Sequence, residues 1–182
     1  MPRVLIPLAQ GCEELEAVTV IDLLRRANIE VVTVGLDENP VTASRGVRLI
    51  PDTTLDAVLE DAFDMIVLPG GLPGADHLNN DPRIQALLKQ QVQNHKKVAA
   101  ICAAPKVLAT AGLLDNKRAT AYPGTLEKLN LAFTEITSID VLMDGNIITS
   151  RGPGTAMDFA LTLIRQLSDK TKRDEVESGL VR

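Results

Sequence analysis

The feature that most constrains this chain is the alternation of short apolar runs with segments whose apolar residues recur at helical spacing. Val4 to Leu8, Met65 to Leu68 and Val98 to Ile101 are apolar throughout. A strand reads that way when both of its faces are covered, as in the centre of a parallel sheet. Ile29 to Leu36 reads as a further strand. Between the first two runs, Glu13 to Ala27 sets Leu15, Val18, Ile21 and Leu24 at helical spacing. Asp81 to His95 reads as a polar helix with Pro82 in its first turn. From Thr155, the residues Ala156, Phe159, Ala160, Leu163, Ile164 and Leu167 fall on one stripe of an amphipathic helix. Strand and helix in repeated succession predict a layered α/β fold. Val41 to Ser44 and Val47 to Ile50 are expected to form a hairpin about Arg45-Gly46, with Pro51 keeping the second run at an edge. Arg118 to Tyr122, Ile136 to Met143 and Asn146 to Ser150 read as late strands, the last two hinged at Asp144-Gly145. Lys170 to Arg182 reads as a short charged helix or a frayed end. No repeat, low-complexity segment or linker divides the chain, so residues 1–182 are read as one domain.

Charge removes several classes of function. The 182 residues carry 19 Lys and Arg against 24 Asp and Glu, a net charge of −5. Nucleic acids and anionic membranes are bound by basic faces, so neither is an expected partner. With three Phe, one Tyr and no Trp, a base-stacking platform is excluded. The longest uncharged apolar run, Val98 to Ala104, is too short to span a bilayer. Two cysteines make no disulfide framework, and no N-terminal stretch has signal-peptide form. The expectation is a soluble, cytoplasmic protein.

The segment Val98-Ala-Ala-Ile-Cys102-Ala-Ala-Pro105 carries the chemistry. An apolar strand runs into Cys102, and Pro105 opens a helix. A nucleophile on such a corner needs small residues two positions to either side, the logic of G-x-S-x-G; here they are Ala100 and Ala104. The corner would aim the sulfur out of the C-terminal edge of the sheet, where open α/β folds bind ligands, and would favour thiolate at a helix N-terminus. A buried, inert cysteine is the competing reading. Leu68-Pro-Gly-Gly-Leu-Pro-Gly74 follows another central strand and leaves backbone N–H groups free at the same edge, suited to stabilising an oxyanion. It is not G-x-G-x-x-G, so a dinucleotide site is a poor fit. Gly11-Cys-Glu-Glu-Leu-Glu16 opens the first helix at that edge too.

Together these segments resemble the ThiJ/PfpI superfamily, in particular its parkinsonism-associated deglycase branch. The resemblance rests on G-C-E-E-L-E-A-V (11–18), D-L-L-R-R-A (22–27), S-R-G-V (44–47), V-L-P-G-G (67–71), A-A-I-C-A-A-P (99–105) and T-S-R-G-P-G-T-A (149–156). It implies a flavodoxin-like three-layer sandwich and a homodimer. It matches Cys102 to the family's reactive cysteine and Glu16 to the glutamate that shares a proton with it. Gly71 and Ala103 match positions whose backbone N–H groups face the sulfur. Arg26 and Arg45 match arginines near the dimer-side wall of the pocket.

Departures from the superfamily narrow the activity. Hydrolytic members need a histidine base beside the cysteine, but both histidines here, His77 and His95, precede Cys102, and Ala103 and Tyr122 stand where related proteins often carry histidine. His95 reads as a solvated residue and His77 as a surface residue or a pocket-lining one. No His/Cys pair has metal-ligand spacing, and no cofactor is expected. Cys12 reads as a packed loop residue, with a resolving cysteine as the alternative. What the resemblance implies is an enzyme acting on 2-oxoaldehydes such as methylglyoxal, or on their adducts, through Cys102 and Glu16. The alternative is a redox-responsive protective protein or holdase chaperone, since the same thiolate would serve a peroxide sensor. A thiazole-biosynthesis or protease role has no support among these residues.

Overall fold

The computed structural model describes all 182 residues. In chain order the elements are β1 (Arg3–Leu8), α1 (Glu14–Arg26), β2 (Glu30–Gly35), β3 (Val41–Thr42), β4 (Arg48–Leu49), β5 (Thr53–Thr54), β6 (Met65–Leu68), α2 (Gly74–Asn80), α3 (Pro82–Gln93) and β7 (Lys97–Ile101). They continue with α4 (Pro105–Thr110), β8 (Arg118–Thr120), β9 (Glu135–Thr137), β10 (Val141–Asp144), β11 (Ile147–Ser150), α5 (Ala156–Leu167) and α6 (Lys170–Gly179). The main sheet runs β10-β11-β7-β6-β1-β2-β5, parallel except for the β10–β11 pair. Its five inner strands, taken in sequence order, lie 2-1-3-4-5, the flavodoxin-like arrangement.

The apolar strands are covered on both sides, as their composition requires. Val4, Ile6, Met65, Val67, Ala99 and Ile101 face one core with α1 and α5, while Leu5, Ile66, Leu68, Val98 and Ala100 face the other with α3 and α4.

 The alternation is the two-residue period of a strand, so Ala99 and Ile101 lie on the α1 side and Ala100 on the other. The stripe on α5 is buried as its spacing requires, with Phe159, Leu163 and Ile164 wholly shielded against α1. Each such side chain contributes about 1.5–3 kcal/mol.

Three expectations are corrected. The helix foreseen from Asp81 to His95 is Pro82–Gln93, because Asp81 is its N-cap, accepting from the Arg83 N–H at 2.9 Å. A separate short helix, α2, precedes it. The strand foreseen from Ile136 to Met143 breaks into β9, which pairs with β8 outside the main sheet, and β10, which joins it. Residues 138–140 belong to neither strand, and the Asp140 carbonyl, just before β10, accepts from the Arg151 N–H at 3.2 Å and from the Ser150 hydroxyl at 2.8 Å. The hairpin is present but shorter than foreseen, and Lys170–Gly179 is helical. No helix is long and apolar enough to cross a membrane.

Candidate active site

In the sheet, β1 connects outward to β2 in one direction while β6 and β7 lie in the other. The crevice beyond the C-terminal ends of β1 and β6 is the topological switch point. Three segments meet there: the start of α1 after β1, the Gly70-Gly71 turn after β6, and the Cys102 turn after β7.

Cys102 has φ +63, in the left-handed region that costs a residue with a Cβ roughly 1–3 kcal/mol. Neighbouring strands hold it there. Its N–H donates to the Ser150 carbonyl at 3.0 Å, and its carbonyl accepts from the Tyr122 N–H at 2.9 Å. The Ala104 N–H donates back to the Ile101 carbonyl at 3.0 Å and closes the corner. The residue is 9% exposed. Hydrogen bonds from the Gly71 and Ala103 N–H groups reach its sulfur.

Glu16, in the first turn of α1, is wholly buried. Its Oε2 accepts from the Gly70 N–H at 2.9 Å. Its Oε1 has no hydrogen-bond partner, and the carboxyl lies within hydrogen-bonding reach of Cys102. Burial pushes the Glu16 carboxyl up from its ordinary 4.5 to about 7, and the charge of Glu13 adds to the rise. Burial also pushes the Cys102 thiol up, to about 12, with an ionised Glu16 adding to it and the Gly71 and Ala103 N–H groups opposing it. The Glu16 contribution exists only while that carboxyl is charged. A neutral acid instead donates to the sulfur and favours thiolate. The two groups therefore titrate as a pair.

That burial has a consequence for stability. Folded, the Glu16–Cys102 pair keeps both its protons to about pH 7, against 4.5 for an ordinary glutamate, so the folded chain binds more protons than the unfolded one between those values, whichever of the two atoms gives the first one up. The stability contributed by this group is full below about pH 4.5 and is lost as pH rises through about 7, a span worth roughly 3 kcal/mol. Glu16→Gln is therefore expected to match wild-type stability near pH 4 and to exceed it above pH 7.5. Denaturant unfolding at the two pH values measures this; a variant less stable than wild type at the higher pH would contradict it.

The glycines set the spacing. A Cβ on Gly71, whose φ is +87, would lie 2.3 Å from the Glu13 nitrogen and 2.6 Å from the Gly11 carbonyl oxygen. A Cβ on Gly70 would lie 2.6 Å from the Cys102 Cβ and 2.8 Å from Glu16 Oε2. Sequence reasoning singled out Gly71 but missed Gly70. The signal was the doubled glycine after an apolar strand, of which only the second was assigned a role.

The structure brings Cys102, Glu16, Gly71 and Ala103 together. It does not bring Arg26 or Arg45 to the sulfur within this chain. Arg26 lies ten residues beyond Glu16, about 15 Å along α1, where it is half exposed and paired with Asp22 at 2.7 Å. Arg45 is exposed on the β3–β4 turn, and its backbone N–H donates to Glu14 at 2.8 Å. Glu14 also accepts from Ser44; burial raises its carboxyl, but the Ser44, Val47 and Arg45 hydrogen bonds outweigh that and hold it low. Glu14 thus ties the hairpin to α1. Cys12 is wholly buried, and burial first, then Glu14, pushes its thiol up to about 12. His77 is exposed on α2 and lines a different cavity of about 180 Å³ with Leu8, Gln10 and Asp37. His95 is exposed beyond α3. Tyr122 touches the site through its backbone, its half-exposed ring lying beside Gly152. No group of three or more His, Cys, Asp or Glu side chains is placed to hold a metal ion.

Comparison with known proteins agrees with this fold. Residues 2–166 match the model of the DJ-1/PfpI family. The chain spans about half the length of two curated relatives from Arabidopsis thaliana; it is 44% identical to one, Protein DJ-1 homolog A, over 98% of this chain and 46% of that protein. It superposes on the crystal structure of Drosophila melanogaster DJ-1beta with a TM-score of 0.95 and 42% identity, covering 99% of this chain and 97% of that one. A Caenorhabditis elegans relative, 34% identical over 95% of this chain and 91% of that protein, is named glutathione-independent glyoxalase DJR-1.2.

Proposed function

This chain belongs to the DJ-1/PfpI family, and from that premise we propose that it is a cofactor-independent glyoxalase or deglycase, acting on 2-oxoaldehydes or their adducts through Cys102. The observation that carries the reading is the wholly buried Glu16 carboxyl beside a sulfur that also receives two backbone N–H groups. The name of the Caenorhabditis elegans relative supports the choice of substrate class.

The working state is Cys102 thiolate with neutral Glu16. The thiolate adds to the aldehyde carbon, and the carbonyl oxygen takes the new negative charge, facing the Gly71 and Ala103 N–H groups. Glu16 delivers its proton to that oxygen, giving the neutral hemithioacetal. As carboxylate it then removes the hydrogen from the former aldehyde carbon as a proton, leaving an enediolate. The proton is returned to the adjacent carbon and the hydroxyl protons redistribute, which yields a thioester of the 2-hydroxy acid. Water cleaves the thioester, releasing the acid and regenerating the thiolate. No net oxidation occurs, because one carbon is oxidised as its neighbour is reduced. Methylglyoxal supplied to purified protein free of added thiol and metal should become lactate; protein with an intact Cys102 that forms none would overturn the proposal.

We further propose that the chain works as a homodimer. Val18 and Ile50, 45% and 83% exposed, border one groove with Ile21 and Leu49 beside the α1 surface, an apolar strip rimmed by Asp22, Arg25 and Asp52 and suited to a second copy. Light scattering at micromolar concentration should give twice the chain mass with or without reductant, and a monomer would contradict this.

A further inference from the structure

We propose that Gly70 is a positioning residue whose peptide N–H decides which Glu16 oxygen exchanges the proton with Cys102. Oε2 is held as the carbonyl oxygen of the neutral acid, and Oε1 carries the proton toward the sulfur. The inference builds on the shared proton of the function proposed above.

The two carboxyl oxygens are unequal. Oε2 accepts from the Gly70 N–H at 2.9 Å, whereas Oε1 is buried without a partner. A carbonyl oxygen is a better acceptor than an acid hydroxyl oxygen, so the Gly70 donor favours the proton on Oε1. An unpaired buried oxygen is costly, and a proton on Oε1 donated to the sulfur removes that cost. The exchange is Oε1–H with a thiolate going to a carboxylate with S–H: one O–H bond breaks as one S–H bond forms.

The same turn holds both partners. The Gly70 N–H goes to Glu16, the Gly71 N–H goes to Cys102, and the Gly70 carbonyl accepts from the Glu13 N–H at 2.9 Å, which ties the turn to the start of α1. The titratable groups acting on the Glu16 carboxyl are Cys102 and Glu13. Residue 70 must also lack a side chain, since a Cβ would sit 2.6 Å from the Cys102 Cβ and 2.8 Å from the Ile101 carbonyl oxygen. The backbone oxygen cannot swing aside as a flexible side chain would.

Glu16→Gln exposes the preference, because an amide must choose which end faces each neighbour. The Gly70 N–H should hold the amide oxygen, leaving the NH₂ group toward the sulfur. The experiment is amide NMR of ¹⁵N-labelled Glu16→Gln protein without substrate, with Cys102 ionisation followed in parallel by thiolate absorbance. The introduced side-chain NH₂ resonances should shift with the midpoint of Cys102 ionisation. NH₂ resonances that stay fixed while Cys102 ionises would place the amide oxygen at the sulfur and overturn the proposal. In Gly70→Ala the pair is forced apart, and alkylation of Cys102 at neutral pH should fall about tenfold, the effect of one pKa unit. Unchanged alkylation would also overturn the proposal, and the Glu16→Gln readout decides even if Gly70→Ala does not fold. Neither readout involves turnover, so failure of the glyoxalase reading and failure of this one are distinguishable.

Discussion

Cys102→Ser is expected to lower methylglyoxal turnover by roughly 10⁴-fold or more, the scale on which covalent enzymes lose activity with their nucleophile. Serine preserves the corner, because the hydrogen bonds that hold φ at +63 come from the Ser150 carbonyl and the Tyr122 N–H. What is lost is the ionisable sulfur. A hydroxyl would need a strong base to deprotonate it, and His77 lines a different cavity. The Gly71 and Ala103 donors remain, so a small residual activity from oxyanion stabilisation is consistent with the account. Progress curves of lactate formation, with circular dichroism to confirm the fold, provide the measurement. Serine activity within tenfold of wild type would place the chemistry elsewhere in the chain.

Glu16→Gln should lower turnover by about 10²–10⁴-fold, the usual contribution of a general acid and base. The amide can donate to the thiolate but cannot carry a proton between two carbons. Alkylation of Cys102 near neutral pH should therefore persist while turnover falls. Glu16→Leu removes donor and base together. It should lose turnover and also raise the Cys102 pKa, because burial then acts against only the two backbone donors. Turnover by Glu16→Gln equal to wild type would remove Glu16 from the mechanism.

The parallel sheet was legible because Val4 to Leu8, Met65 to Leu68 and Val98 to Ile101 carry no polar face. The α5 helix was legible because its stripe spans three turns. Ile136 to Met143 misled because Ile139 links Ile136 to the apolar Val141 to Met143, and the change of sheet partner between β9 and β10 leaves no local pattern. At the site, Cys102 and Glu16 could be named from motif and resemblance. The geometry of their contact could not, since it joins the first turn of α1 to the turn after β7, although the resemblance implied their shared proton. Nor could the part of Gly70, whose absent side chain matters only because Cys102 and Ile101 stand behind it. Arg26 and Arg45 were grouped by resemblance alone. Within one chain the length of α1 carries Arg26 away from the sulfur, while Glu14 engages Arg45 through its backbone.

The central claim is that one proton is shared and rests on Glu16, leaving Cys102 as thiolate. The most direct test is thiolate absorbance of the resting wild-type protein against pH, corrected with Cys102→Ser. The account predicts that the sulfur gives up the pair's first proton, so thiolate appears below the ordinary cysteine value of 9.0. A sulfur that stays protonated through neutrality and ionises only near 12 would place the proton on Cys102 and contradict the mechanism.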